Sequence, residues 1–186
     1  MKKTSFSLGG MYPTHTYNPA QILFQTGTDL GGAVPWTNPQ RACIATVGQN
    51  ATCVLGSVLV LSNTIQVVNM QTAGDVPSGA TVRGVRVTVQ CQASVAGLFL
   101  ASPELLCGGQ AFSTAKQYPS FGVEVPLTVT AYTIGYPHDM WGKTTALLNP
   151  TNINDPTFGF KMRAMATLTP GTLTVPLISV RVFYDP

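Results

Sequence analysis

The chain has 186 residues, of which 45% are hydrophobic and only 9% charged. The charge share is far below the roughly 25% of ordinary globular proteins; the ordinary hydrophobic share and low net charge exclude a disordered chain, and the scarcity of Glu, at positions 104 and 124 alone, excludes a coiled coil or charged helical bundle. The formal net charge of +3 comes from scattered cations, without the clustered, aromatic-interleaved basic stripe that a nucleic-acid groove needs.

Residues 1–35 are rich in Gly, Pro and Thr, with Ile22-Leu23-Phe24 as their apolar run. They are expected to form an extended N-terminal arm that gains order by lying on another surface, ahead of a single domain over 36–186. The basic start imitates a secretory leader, but Gly9, Gly10 and Pro13 interrupt any apolar core, so no export signal is expected. No run of 18 apolar residues occurs, which predicts no membrane helix and no membrane partner.

Beyond the arm the apolar period is two, the mark of half-buried strands. Short strands are predicted at 41–46, 52–61 and 64–70. Over 82–91, Val85, Val87, Val89 and Cys91 alternate with Arg86, Thr88 and Gln90. A further strand is expected at 95–100, then one helical turn over Ser102-Pro103-Glu104-Leu105-Leu106, with Ser102 as cap and Pro103 at the first helical position. Over 121–131, Val123, Val125, Leu127, Val129 and Ala131 form one face, and Pro126 marks an edge or a bulge. Asn149-Pro150-Thr151-Asn152-Ile153 predicts a second helical turn. Over 158–168, Phe158, Phe160, Met162, Ala164, Ala166 and Leu168 share a face, and over 177–184 Ile178, Val180, Val182 and Tyr184 do. The turn clusters Gly74-Asp75, Pro77-Ser78-Gly79, Gly108-Gly109, Pro119-Ser120 and Pro170-Gly171 punctuate these strands. Together they predict an all-β fold, an antiparallel, jelly-roll-like β-sandwich.

Catalytic constellations are sparse, and no enzyme activity is expected. His15 and His138 sit in different regions, no Gly-x-Ser-x-Gly elbow occurs, and Ser113-Thr114-Ala115-Lys116 matches Ser-x-x-Lys without its partner motifs. Long Cys spacings and isolated Asp75, Asp139 and Asp155 predict no metal site, and no glycine-rich phosphate loop opens a helix, so no cofactor is expected. Cys43, Cys53, Cys91 and Cys107 permit two disulfides in three connectivities, but without an export signal they read as reduced, mostly buried thiols. Trp36 and Trp141 each lie beside turn residues. Either they plug the sandwich, or with Tyr136 they offer flat ring faces to a sugar.

Several segments in order carry a resemblance: Val76-Pro77-Ser78-Gly79-Ala80-Thr81-Val82-Arg83-Gly84-Val85, Asp139-Met140-Trp141-Gly142, Ile153-Asn154-Asp155-Pro156-Thr157-Phe158-Gly159 and the closing Val182-Phe183-Tyr184, with Pro35-Trp36-Thr37-Asn38-Pro39 as an opening. In this arrangement the chain over roughly 33–186 resembles a family of small β-sandwich virion proteins encoded by tailed bacteriophages. It departs from the family at Pro176-Leu177-Ile178-Ser179, where an Asp is frequent, and over 101–120. The resemblance implies a virion structural protein and supplies no catalytic residues. Together with the low charge it suggests a capsid decoration or cement protein, forming a homo-oligomer and contacting the major capsid protein or tail proteins. The alternative is a tail-tip or tail-fibre module binding a host-surface glycan or receptor.

Overall fold

The computed structural model describes residues 14–17, 25–26, 32–43, 48–70, 76–107, 110–111, 116 and 122–186. Ile22-Leu23-Phe24, Gly74-Asp75, Gly108-Gly109, Ser113-Thr114-Ala115, Pro119-Ser120 and positions 44–46 of the first predicted strand lie outside these residues.

The strands are β1 (Thr14–Tyr17), β2 (Gln25–Thr26), β3 (Gly32–Val34), β4 (Trp36–Thr37), β5 (Ala51–Leu55), β6 (Leu61–Ser62), β7 (Thr64–Val68), β8 (Thr81–Ala93), β9 (Leu98–Cys107), β10 (Gln110–Ala111), β11 (Val123–Glu124), β12 (Thr130–Ile134), β13 (Gly159–Ala166) and β14 (Gly171–Asp185). A 3-10 turn, Pro39–Cys43, stands where a strand is predicted, and the short helix α1 spans Pro150–Ile153. The strands form two sheets. One runs β12-β8-β14-β5-β4 with β1 also on β14, and the other runs β10-β9-β13-β6-β3 with β11, β7 and β2 added. Pairing is antiparallel except between β3 and β6, and the whole is an all-β sandwich as expected.

The core lies where period two places it. Val85, Val87, Val89 and Cys91 of β8, Phe160, Met162, Ala164 and Ala166 of β13, and Ile178, Val180 and Val182 of β14 are fully buried. The two inner faces meet through these side chains, and each large aliphatic so buried contributes on the order of 1.5–3 kcal/mol. β7 is buried along its whole length, with Thr64 and Gln66 included. Gly159 has the close backbone packing expected of a strand glycine: a Cβ there would lie 2.0 Å from the Val67 carbonyl oxygen.

Several sequence expectations are corrected. The helical turn at Ser102–Leu106 is instead part of β9, because Glu104 and Leu105 pair with Lys161 and Phe160 of β13. The ladder slips there, with Ser102 at φ +49°, a β-bulge that takes up one extra residue. The face over 121–131 breaks at Pro126. Val125 stays buried by donating its N–H to the Leu98 carbonyl, while Leu127 and Val129 turn outward. β13 stops at Ala166, which leaves Leu168 exposed, and β5 stops at Leu55, ahead of Leu59. Apart from these corrections, the described residues of 1–35 pair within the chain: β1 with β14, β2 with β7 and β3 with β6.

α1 forms at the predicted place. Asn149 caps it by accepting the Asn152 N–H, Pro150 takes the first turn, and Asn154 ends it. No helix of the described residues is long and apolar enough to cross a membrane.

Candidate functional site

The three aromatic candidates are not brought together. Trp36, 4% exposed, donates its indole N–H to the Asn63 carbonyl at 2.8 Å and ties β4 to the β6–β7 joint. Trp141, 2% exposed, donates to the Val85 carbonyl at 2.8 Å and stands edge-on to Phe160 at 6.3 Å, so it spans from β8 in one sheet to β13 in the other. Both rings plug the sandwich, and neither turns a face to solvent as a sugar platform must. Tyr136 is 61% exposed, in the loop after β12 that also carries His138.

The polar groups of this loop are structural. The Asp139 carboxylate accepts the Trp141 backbone N–H and pairs with the Lys116 ammonium, which lies 5.0 Å from the Trp141 ring centroid. Lys116, the described end of the Ser-x-x-Lys segment, thus latches onto the tryptophan loop. Asp155 accepts from the Thr157 hydroxyl and backbone N–H, which holds its carboxyl below the usual range. His15 lies in β1 opposite Val182. Cys43, Cys53 and Cys91 are buried, and burial pushes each thiol up to about 12, so none is a ready nucleophile. Cys107, half-buried, donates to the Asn152 carbonyl. Among the described residues no three His, Cys, Asp or Glu side chains gather as a metal site.

The distinctive surface is one end of the sandwich. The registers Leu55 with Gly171, Cys91 with Thr130 and Leu98 with Ala166 place four loops there: 56–60, 94–97, 125–129 and 167–170. Their sequences, Gly-Ser-Val-Leu-Val, Ser-Val-Ala-Gly, Val-Pro-Leu-Thr-Val and Thr-Leu-Thr-Pro, contain no charged residue. Backbone bonds lace them together. Leu59 donates to the Ala166 carbonyl, Thr167 to Gly97, Ser94 to Thr172 and Ala93 to Pro126.

The tips of this end are aliphatic. Leu59 and Leu168 are 71% and 74% exposed, and Leu127, Val129, Val58 and the neighbouring Val54 are exposed too. Leu59 holds its outward position at φ +59°, a conformation unfavourable for a branched side chain. A pocket of about 340 Å³ opens beside them, lined by Ala96, Glu124, Val125, Pro126, Leu127 and Tyr132. Glu124 accepts the Gly97 N–H at 3.0 Å, so its charge braces the pocket wall. Burial, with the charges of Cys91 and Glu124 nearby, raises the Tyr132 hydroxyl above its ordinary value. Exposed aliphatic side chains on neighbouring loop tips are the kind of surface that interaction sites use. Periodicity had assigned Leu127, Val129 and Leu168 to buried faces. The signals that place them outside are the adjoining breakers Pro126 and Thr169-Pro170.

No protein-family model matches the sequence, and no curated protein matches it. Among solved structures the chain is similar to the apo CBM1 of BiXyn10A, at 7% identity over 92% of this chain and 89% of that one, with a TM-score of 0.36. It is also similar to the C-terminal CBM6 of LamC from Zobellia galactanivorans, at 10% identity over 92% and 99%, with a TM-score of 0.38. A third is the enzymatically active domain of tailspike protein 4 of bacteriophage CBA120, at 12% identity over 92% of this chain but only 19% of that one, with a TM-score of 0.39. These likenesses concern the fold alone.

Proposed function

We propose that this chain is a bacteriophage virion structural protein, a decoration or cement protein that docks onto the major capsid protein through its charge-free loop end. The single observation that carries the reading is that end: four laced loops without charge, tipped by Leu59, Leu127, Val129 and Leu168 beside an apolar pocket. Docking of leucine tips desolvates no charge of the four loops themselves, and Glu124 at the pocket wall keeps its bond to the Gly97 N–H. The pocket lined by Val125, Pro126, Leu127 and Tyr132 suits a single inserted apolar side chain of the partner. The resemblance over roughly 33–186 supplies the setting, a phage particle. Repetition of the contact around a capsid would give avidity to individually weak joints.

The test is co-sedimentation of purified protein with heads lacking it, alongside the double variant L59D/L168D. Both sites are exposed, so the variant is expected to fold with unchanged thermal stability and to lose head binding at least tenfold. Equal binding by the folded double variant would refute the docking surface, and absence of the parent protein from heads in labelled particles would refute the capsid role. A second reading, a tail module binding a host-surface glycan, has the exposed Tyr136 in its favour. It predicts glycan binding that Y136A abolishes.

A further inference from the structure

The outer face of the first sheet holds a polar pocket that loop-end docking does not use. Thr52 of β5 stands in register with Thr37 of β4 on one side and with Thr174 of β14 on the other. Thr52 and Thr174 point outward, because their strand neighbours Ala51, Cys53, Leu173 and Val175 are buried in the core. Arg41 comes from the 3-10 turn Pro39–Cys43, which Ala42 and Cys43 anchor in the core. The Asn38 carbonyl accepts the Arg41 backbone N–H at 2.9 Å and closes that turn. The chain enters β5 through Gly48, at φ +76°, and then Gln49 and Asn50. Between these segments lies a pocket of about 370 Å³.

The Arg41 guanidinium differs from the other cations of the described residues. Arg83, Lys116 and Lys161 are ion-paired, Arg86 lies over the Phe183 ring, and Arg163 donates to Thr64. Lys143 and Arg181 have contacts of their own. Among the described residues the Arg41 side chain makes no hydrogen bond and no ion pair. The pocket's lining contains no Asp or Glu to neutralise it. Around it stand three carboxamides, Asn38, Gln49 and Asn50, and the hydroxyls of Thr52 and Thr174.

We infer that this pocket binds a hydroxyl-rich molecule carrying one singly charged tetrahedral oxyanion, such as a sugar sulfate or a polyol phosphodiester. The volume lies within the about 300–1,000 Å³ of ligand pockets. The guanidinium only donates, and its planar fork meets two oxyanion oxygens at once. A tetrahedral group leaves further oxygens for the carboxamide N–H or threonine O–H groups. One anion balances the single cation and meets no like charge in the lining. The carboxamide oxygens only accept, so they call for hydroxyl donors that a bare inorganic anion lacks. No aromatic ring lines the pocket, so an open-chain polyol suits it as well as a sugar ring does.

The experiment titrates the full, isotope-labelled chain with glucose monosulfate, glycerophosphoglycerol, glucose and inorganic sulfate, and follows amide shifts by NMR. At least one ester is expected to bind about tenfold tighter than glucose and than inorganic sulfate, and the tighter ester identifies the source of the oxyanion. The largest shifts are expected at Gly48, Gln49 and Asn50. R41Q is expected to reduce ester binding to the level of glucose. T174V removes one hydroxyl from a strand that accepts Val readily, and should weaken the ester several-fold with thermal stability kept. No binding of either ester would overturn the assignment. So would ester binding no tighter than that of glucose or sulfate, a preference that survives R41Q in a folded variant, or shifts confined to residues away from the pocket.

Discussion

Trp141→Ala is expected to cost this protein a large part of its stability, because the ring is a structural plug. The side chain is 2% exposed, bonded to the Val85 carbonyl, edge-on to Phe160 and covered by the Lys116 ammonium. Truncating a buried Trp removes its transfer energy and leaves a cavity, at about 3–5 kcal/mol. Domains of this size hold roughly 5–15 kcal/mol in all, so the variant stays folded unless the parent lies near the lower end of that range. At about 2–4 °C per kcal/mol, Tm should fall by roughly 6–20 °C. Trp141→Phe separates the parts. It keeps most of the apolar area but orphans the Val85 carbonyl, a loss of about 1–3 kcal/mol. Thermal melts followed by circular dichroism read both variants, and the fluorescence of W141F reports Trp36 alone. A W141A variant melting within about 2 °C of the parent would refute the plug and reopen the ring as a ligand platform.

Gly159→Ala should be among the most damaging single-carbon additions. Its Cβ would lie 2.0 Å from the Val67 carbonyl oxygen, in a strand paired on both sides, and the loss is expected at about 3 kcal/mol or more by urea unfolding. Gly79→Ala is the opposite case: the Cβ meets nothing within 4 Å and φ is not positive, so a gain of about 0.4–1 kcal/mol is expected in the same assay. The buried thiols predict alkaline weakening. Folding raises Cys43, Cys53 and Cys91 from about 9 to about 12, so their contribution is complete below pH 9 and is lost as pH rises towards 12. From pH 8 to pH 10 each thiol should forfeit about 1 kcal/mol, and C91A should show a shallower decline than the parent. In native protein Cys107, half-buried, should react with a thiol reagent before the other three. L59D/L168D should melt within about 4 °C of the parent, since each exposed position tolerates such a change within roughly 0.5 kcal/mol.

How much could be read from the sequence depended on how long each pattern ran. Over β8, β13 and β14 an uninterrupted alternation named the buried face, because a strand between two sheets permits no phase change without burying a polar side chain. The α1 cap was legible because Asn149 and Pro150 act locally. Ser102-Pro103 misled for the same reason. Locally it is a helix start, but Glu104, Leu105 and Leu106 have registered partners on β13 that a single turn of helix could not replace. The loop end was hidden because alternation continues in Leu127, Val129 and Leu168 after the strands have stopped. Only pairing, which joins residues far apart in the chain, decides where a strand ends. The neighbourhood of Thr64, Ser102 and Arg163 was hidden for a related reason, since these residues meet only through register.

The scarcity of charge at first excluded classes of protein. With the fold in view, it is the distribution that informs. The charges of the described residues are mostly spoken for within the chain: Arg83 pairs with Asp185, Lys116 with Asp139 and Lys161 with Glu104, and the Arg86 guanidinium rests 5.4 Å from the Phe183 ring centroid. None falls on the four loops that carry exposed leucines and valines. A surface selected for solubility alone would spread ions over its most exposed tips. Here the tips are aliphatic, and Leu59 is held outward against its own backbone preference. That pattern costs solubility and gains nothing for an isolated domain, and the partner proposed above, covering the end of the sandwich, would account for it. The loop-tip aspartates test this directly, because they restore the charge that the sequence withholds while leaving the core untouched.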